Sequence, residues 1–302
     1  MRRHYRAAPP PCPSPASGGG NDVALAIVIR ATRIAVSKPT GGFDVELPRS
    51  LKAERRGEIA VLFLARPEKR NAIDDPTVAG IEAFFAALPD AIKAVVLAGE
   101  GEHFCSGLDL TELASRDIAQ GIAHSESWHR AFARIEFGKA PVVAVLHGAV
   151  VGGGLEIAAA CHIRVAEASA YYALPEGSRG IFVGGGGAVR LPRLIGTARM
   201  TDMMLTGRIY SAEEGQALGV SHYLVPAGAG LAKGLELAQH IARNAPMTNF
   251  AVTHVLPRIA GADPATGYLM EALTSAIAQG DEEAKSRLKA FLEKRAPKTV
   301  RN

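Results

Sequence analysis

The sequence predicts an α/β core followed by a helical C-terminal region. Short apolar, β-rich runs alternate with stretches of helical periodicity between residues 59 and 168. From residue 197 onward helical patterns dominate. Strands alternating with helices call for a sheet whose faces are covered by those helices.

Residues 1–21 are rich in Pro, Gly, Ser and Ala and offer little apolar surface to bury, which predicts disorder. Residues 24–36 are apolar apart from Arg30 and Arg33, and KPTGG ends them. Residues 1–50 therefore read as a disordered or dispensable extension. Its Arg-containing, acid-poor composition keeps an organelle-targeting peptide open as the alternative. The folded body is expected to begin between Phe43 and Glu58. IAVLFLA (59–65) predicts a buried strand, and the polar loop ARPEKRNAID follows. Asp75-Pro76 opens a helix to Leu88 with Ile81, Phe84, Phe85 and Leu88 on one face. Residues 94–98 form the next strand, and Ser106-Gly107 marks a bend. Helical spacing of Ile122, Trp128, Phe132 and Ile135 predicts a helix over about 116–137.

The run 141–150 predicts one strand leading into Gly152-Gly153-Gly154, a short helix carrying Glu156, and a strand over 161–168. Four glycines (184–187) precede the apolar piece 188–195. Helices follow at 197–205 and 212–218, then a short strand at 220–225. The remainder reads as helices at 231–244, 246–260, 268–279 and 281–295. The division is an extension (1–50), a core with the site (51–225) and a helical region (226–302).

The 302 residues are 48% hydrophobic and 21% charged, as in an ordinary globular protein with a real core. A sequence pI near 9.0 suggests an acidic partner at first sight. The first 56 residues hold ten Lys or Arg against four acids, a surplus of +6, and the other 246 residues come to −2. The basicity belongs to the extension, so nucleic-acid binding by the body is not predicted. Cys12, Cys105 and Cys161 form no CxxC pair or Cys/His ligand pattern, so neither a metal site nor a disulfide framework is expected. A reducing, cytoplasmic setting fits. No apolar stretch reaches the ~18 residues of a membrane span.

Two carboxylates, Glu156 and Glu176, flank the triple glycine and lie 20 positions apart. GGGLE is no dinucleotide fingerprint, and the glycines at 184–187 lack the Lys-Ser/Thr of a phosphate loop. A glycine turn at a helix start does leave unpaired N–H groups at the positive end of the helix dipole. Such a turn suits a developing oxyanion, and the Ser106-Gly107-Leu108 bend offers a second backbone donor. Paired carboxylates near one water can divide acid and base roles if their environments separate their pKa values. Read without that pairing, Glu156 is a first-turn helix acid and Glu176 a surface loop acid. Nucleophilic catalysis lacks a GxSxG elbow, and Cys105 and Ser106 lack a local base. His103 reads as a turn residue and His147 as a core histidine. His124 and His129, five positions apart, carry no zinc pattern.

At these residues the chain resembles the enoyl-CoA hydratase/isomerase, or crotonase, family over about 57–297. ARPEKRNAI resembles the first CoA-binding loop, so Arg66, Lys69 and Asn71 are implied ligand contacts. HFCSGLDL resembles the first oxyanion block, with Ser106 where alanine is usual and Asp109 near the ligand. HGAVVGGGLEIAAACHIRVA resembles the second, bringing in Gly152, and LPEGSRGIFVGGGGAVRLPRLIG resembles the block of the second acid. The resemblance implies a crotonase-like spiral of β-β-α units with a C-terminal helical trimerisation region, assembled as a homotrimer or dimer of trimers. It implies an acyl-CoA thioester substrate, with no cofactor beyond that coenzyme A. Leu108 and Gly153 fall at the oxyanion donors, and Glu156 and Glu176 at the two acids of the hydratases.

Single-acid isomerases of the family typically carry an apolar residue at the position of Glu156. Dienoyl isomerases have an Asp eight positions after the second acid, where this chain has Gly184. The expectation is therefore syn hydration of a trans-2-enoyl-CoA. Dehydration, isomerisation or hydrolysis on the same scaffold, and a non-catalytic acyl-CoA binding protein, stand as alternatives. Val183 replaces a common proline, and Ser178-Arg179 is unusual. Arg179 is read as an acyl-tail contact, or as a cation lowering the pKa of Glu176.

Overall fold

The computed structural model describes residues 42–111 and 116–293, together with Arg295. The expectations for residues 1–41 and for Cys12 lie outside them. The ordered body begins before residue 51: Phe43 and Leu47 are buried, and Phe43 meets Phe84 edge-on at 5.2 Å.

β2 (Ile59–Leu64), β3 (Ala94–Gly99), β4 (Val142–Leu146), β6 (Ile163–Glu167) and β9 (Tyr223–Val225) run parallel. β1 (Leu51–Arg56) closes the edge antiparallel to β2, giving the order β1-β2-β3-β4-β6-β9. Parallel strands are covered on both faces, so their sequences read as unbroken apolar runs. A second sheet holds β5 (Ala149–Val151), β7 (Tyr171–Ala173) and β8 (Tyr210–Ser211). Isolated bridges pair Cys105 with Val150 and Ile73 with Leu108.

The chain therefore repeats one unit four times: a strand of the large sheet, a strand or bridge in the second layer, then a helix. The units are β2, Ile73 and α1 (Asp75–Ala86); β3, Cys105 and α2 (Ile118–Glu136); β4, β5 and α3 (Gly153–Ala160); and β6, β7 and α4 (Gly187–Ile195). This is the spiral of β-β-α units that the resemblance implied.

The single strand expected over 141–150 is two strands in different sheets. The break is Gly148, at φ +51°, where a Cβ would strike the carbonyl of Glu102. The short strands β1, β7 and β8 were not anticipated. Each has an exposed or half-buried residue within two to six positions, too few for a pattern to register.

The interior between the two layers is the main core, with Phe84, Phe104, Phe132, Leu146 and Tyr172 fully buried. The other face of the large sheet is covered by α7 (Gly230–Ala242), which packs on β2, β3, β4 and β6. The core thus extends past residue 225.

α5 (Thr197–Thr206) and α6 (Ala212–Leu218) follow α4. The chain ends with α8 (Pro246–Phe250), α9 (Leu256–Ile259), α10 (Pro264–Gly280) and α11 (Glu282–Leu292). The helix expected over 246–260 widens into a π turn at Ala251–Val255. Pro257 follows at once, and its ring excludes the carbonyl four residues back, so the turn before it opens. α10 starts earlier than expected because Asp263 caps it, accepting from the N–H groups of Ala265 and Thr266. Leu269, Leu273 and Ile277 of α10 and Leu288, Phe291 and Leu292 of α11 are more than half exposed.

Candidate active site

α3 begins on the triple glycine, and each glycine there has its own reason. Gly152 is the N-cap at φ +53° and ψ −122°, a conformation L side chains avoid. A Cβ on it would lie 2.7 Å from Oε1 of Glu176. A Cβ on Gly153 would press on the Trp128 ring at 2.7 Å, and one on Gly154 would strike the carbonyl of Cys105. The turn is thereby packed against the bend at residues 105–108.

Gly107 of that bend, at φ +97°, brings the two segments together. Its Cβ position is 2.8 Å from the carbonyl oxygen of Val151 and 3.2 Å from the nitrogen of Gly153. The Gly153 Cβ position is 3.4 Å from the nitrogen of Leu108. The N–H groups of Leu108 and Gly153 therefore lie side by side, and neither donates a hydrogen bond to another described residue.

Glu156 and Glu176 open on one cavity of about 250 Å³, which Leu108, Gly152 and Gly153 also line. Both acids are buried, Glu156 at 3% and Glu176 at 6% exposure, so neither is a surface carboxylate. Their surroundings differ. Oε1 of Glu156 accepts from the N–H groups of Gly185 and Gly187, each at 2.8 Å. Arg190 braces that loop, donating Nη1 to the carbonyl of Gly185 at 3.1 Å while Nε bonds Glu136 at 2.7 Å. Burial raises the pKa of Glu156, and the glycine N–H groups and the Arg190 charge oppose the rise.

Glu176 has no such cradle: Oε2 is buried without a hydrogen-bond partner among the described residues. Burial, reinforced by the charge of Glu156, pushes its pKa up to about 7. Arg179 opposes this weakly, so the lowered pKa considered from sequence is not what the geometry produces. The two N–H donors favour the anion on Glu156, and Glu176, whose Oε2 has no donor among the described residues, is the better place for a shared proton.

The other residues singled out from sequence divide. Ser106 and Arg179 line the cavity. Arg66 bonds Asp74 at 2.7 Å and Asp109 at 3.1 Å, and the second Asp109 oxygen accepts from Thr111 at 2.8 Å. Asn71 is buried, its amide donating to the carbonyls of Glu100 and His103 and accepting from the N–H of Arg66. These three side chains fix the loop that Lys69, half-exposed and 3.9 Å from Asp109, projects from.

Sequence reasoning places pocket walls near residues 110 to 130 but gives no site role to the residues of the wall found there, Arg116, Asp117, His124, Ser125 and Trp128. Its signal was present: His124 lies one helical turn before Trp128, and Trp128 Nε1 is 3.0 Å from His124 Nε2. Asp75 approaches the same nitrogen at 3.1 Å and pairs with Arg116 at 2.7 Å.

Residues 54–300 match the model of the enoyl-CoA hydratase/isomerase family. A solved structure from Rhodopseudomonas palustris, provisionally assigned as an enoyl-CoA hydratase, is 57% identical with a TM-score of 0.80, covering 81% of this chain and 95% of that one. The enoyl-CoA hydratase structure from Bacillus anthracis is 29% identical with a TM-score of 0.78, over 82% and 98% of the two chains. The enoyl-CoA hydratase ACTT3 of Alternaria alternata is 33% identical over 80% of this chain and 82% of its own. With its β-β-α spiral and paired carboxylates, the chain belongs to the enoyl-CoA hydratase/isomerase family.

Proposed function

We propose that the protein is an enoyl-CoA hydratase, adding water to a trans-2-enoyl-CoA thioester. The observation that carries this is the unequal carboxylate pair: a cradled Glu156 and a buried, uncradled Glu176 on one cavity, beside two N–H groups that donate to no other described residue. Glu156 takes a proton from the bound water, and the water oxygen forms its bond to the β-carbon. The double-bond electrons move toward the thioester carbonyl. The negative charge that develops on its oxygen is held by the N–H groups of Leu108 and Gly153. Glu176 delivers its proton to the α-carbon. Atoms and charge balance, and the carboxylates exchange roles in the reverse direction.

Purified protein is expected to consume the enoyl absorbance of crotonyl-CoA with the gain of one water by mass spectrometry; an unchanged thioester would sink the reading. Because Glu176 must carry its proton and holds it to about pH 7, kcat/KM for hydration should fall about tenfold per unit as pH rises above that value.

Coenzyme A is part of the substrate in this reading, and Lys69, on the loop fixed by Arg66 and Asn71, is placed among its contacts. The exposed apolar residues of α10 and α11 favour assembly, since a stripe of that size is seldom left in water. Sedimentation velocity should give a trimer or hexamer, and a stable monomer at micromolar concentration would refute it.

A further inference from the structure

The wall of the cavity is unusually charged for one that takes a hydrocarbon tail. Arg116, Asp117, Glu156, Glu176 and Arg179 all line it. Arg116 pairs with Asp75 at 2.7 Å. Asp117 caps α2, accepting from the N–H of Gln120 at 2.8 Å. Glu156 is held by the glycine loop, and Glu176 carries the proton of the pair. Arg179 differs: it forms no ion pair with a described carboxylate, although it stands at the end of the short turn Gly177–Arg179 that follows Glu176. Ser125 lines the same cavity at Gly184, with its Oγ 3.0 Å from that residue's Cβ position, and makes no hydrogen bond to a described residue. Leu110, Trp128, Ile181 and Val183 supply apolar wall to the same cavity.

Arg179 is exposed at this wall and Ser125 half-buried, so a purely aliphatic acyl group would leave the cation to solvent and cover the hydroxyl without giving it a partner. An acyl group with an anionic end would satisfy both. Resting on the thioester reading of the site, we infer that the cavity is built for an acyl-CoA whose chain ends in a carboxylate. Arg179 is the cation that receives that carboxylate and the Ser125 hydroxyl is the second donor. The guanidinium fork suits a carboxylate, and its approach from the loop after Glu176 places tail recognition and proton delivery on one segment.

The test separates tail recognition from turnover. Calorimetric binding of adipyl-CoA and hexanoyl-CoA, saturated and matched in length, should favour adipyl-CoA by about tenfold or more, the scale of a charged hydrogen bond. Arg179→Gln should bring that ratio close to one, Arg179→Lys should keep part of it, and Ser125→Ala should reduce it less. Equal or tighter binding of hexanoyl-CoA overturns the inference, as does a ratio that survives Arg179→Gln. A role of Arg179 in holding the loop alone would weaken both ligands together and leave the ratio in place, which also overturns it. Hydration of the corresponding 2-enoyl thioesters is measured separately. If neither gains water, the hydratase reading fails while the binding ratio still decides the tail.

Discussion

Glu176→Gln is expected to lower hydration by about a thousandfold or more while acyl-CoA binding persists. Losing a positioned proton donor typically removes 10²–10⁴ of rate, and a glutamine amide cannot protonate the α-carbon. Retention of full activity would remove this carboxylate from the mechanism. The same substitution has a second, opposite consequence. The folded-state pKa of Glu176 is about 7 against an ordinary value of 4.5, so the native protein holds this proton more tightly than the unfolded chain. The contribution is fully present below about pH 4.5 and is lost as pH rises through 7. Above that, ionising a buried carboxylate whose Oε2 has no partner among the described residues costs on the order of 3 kcal/mol, and glutamine avoids it. Thermal melts should therefore show Glu176→Gln more stable than the parent at pH 8, with the gap closing toward pH 5. A mutant less stable at both pH values would contradict this account of the site.

Gly107→Ala is expected to cost about 10²–10³ in kcat, the loss seen when one oxyanion donor is removed. The added methyl would sit 2.8 Å from the carbonyl of Val151 and 3.2 Å from the nitrogen of Gly153, forcing apart the two segments that bring the donors together. At φ +97° the alanine is strained as well, which adds about 1–3 kcal/mol of destabilisation. Steady-state kinetics should show the loss in kcat with both carboxylates intact, whereas Gly280→Ala, with open space around it at the end of α10 and away from the cavity, should stay near the parent. Equal activities for the two variants would exclude the Leu108–Gly153 pair from the reaction.

Much of this site was legible because it is local. Glu156 and Gly153 lie on one helix start, and Glu176 follows a recognisable strand at a fixed spacing. The bend at Ser106-Gly107 announced itself by composition. What sequence could not display was the use of main-chain groups. The glycines at 184–187 were set aside for lacking the lysine of a phosphate loop, yet two of their N–H groups hold Glu156. Asn71 and Arg66 look like ligand contacts by motif, whereas the structure commits their side chains to the loop itself. The run 141–150 hid its division because both halves are buried, and only Gly148 betrayed the turn between sheets.

The glycine cradle of Glu156 also limits how this protein can change. A side-chain donor can be exchanged for a stronger or weaker one, so a carboxylate held by such groups can be adjusted in small steps. Peptide N–H groups offer no such exchange, and Cβ atoms at Gly185 and Gly187 would run into Trp128 and Glu156. The strength of the base is thus set by the path of the main chain, with Arg190 as an adjacent side-chain brace. New substrates are more readily acquired by altering the walls at residues 116–128 and 179–183, where side chains face the cavity, than by altering the acid–base pair. The chemistry is fixed in the backbone, and diversification is left to the rim.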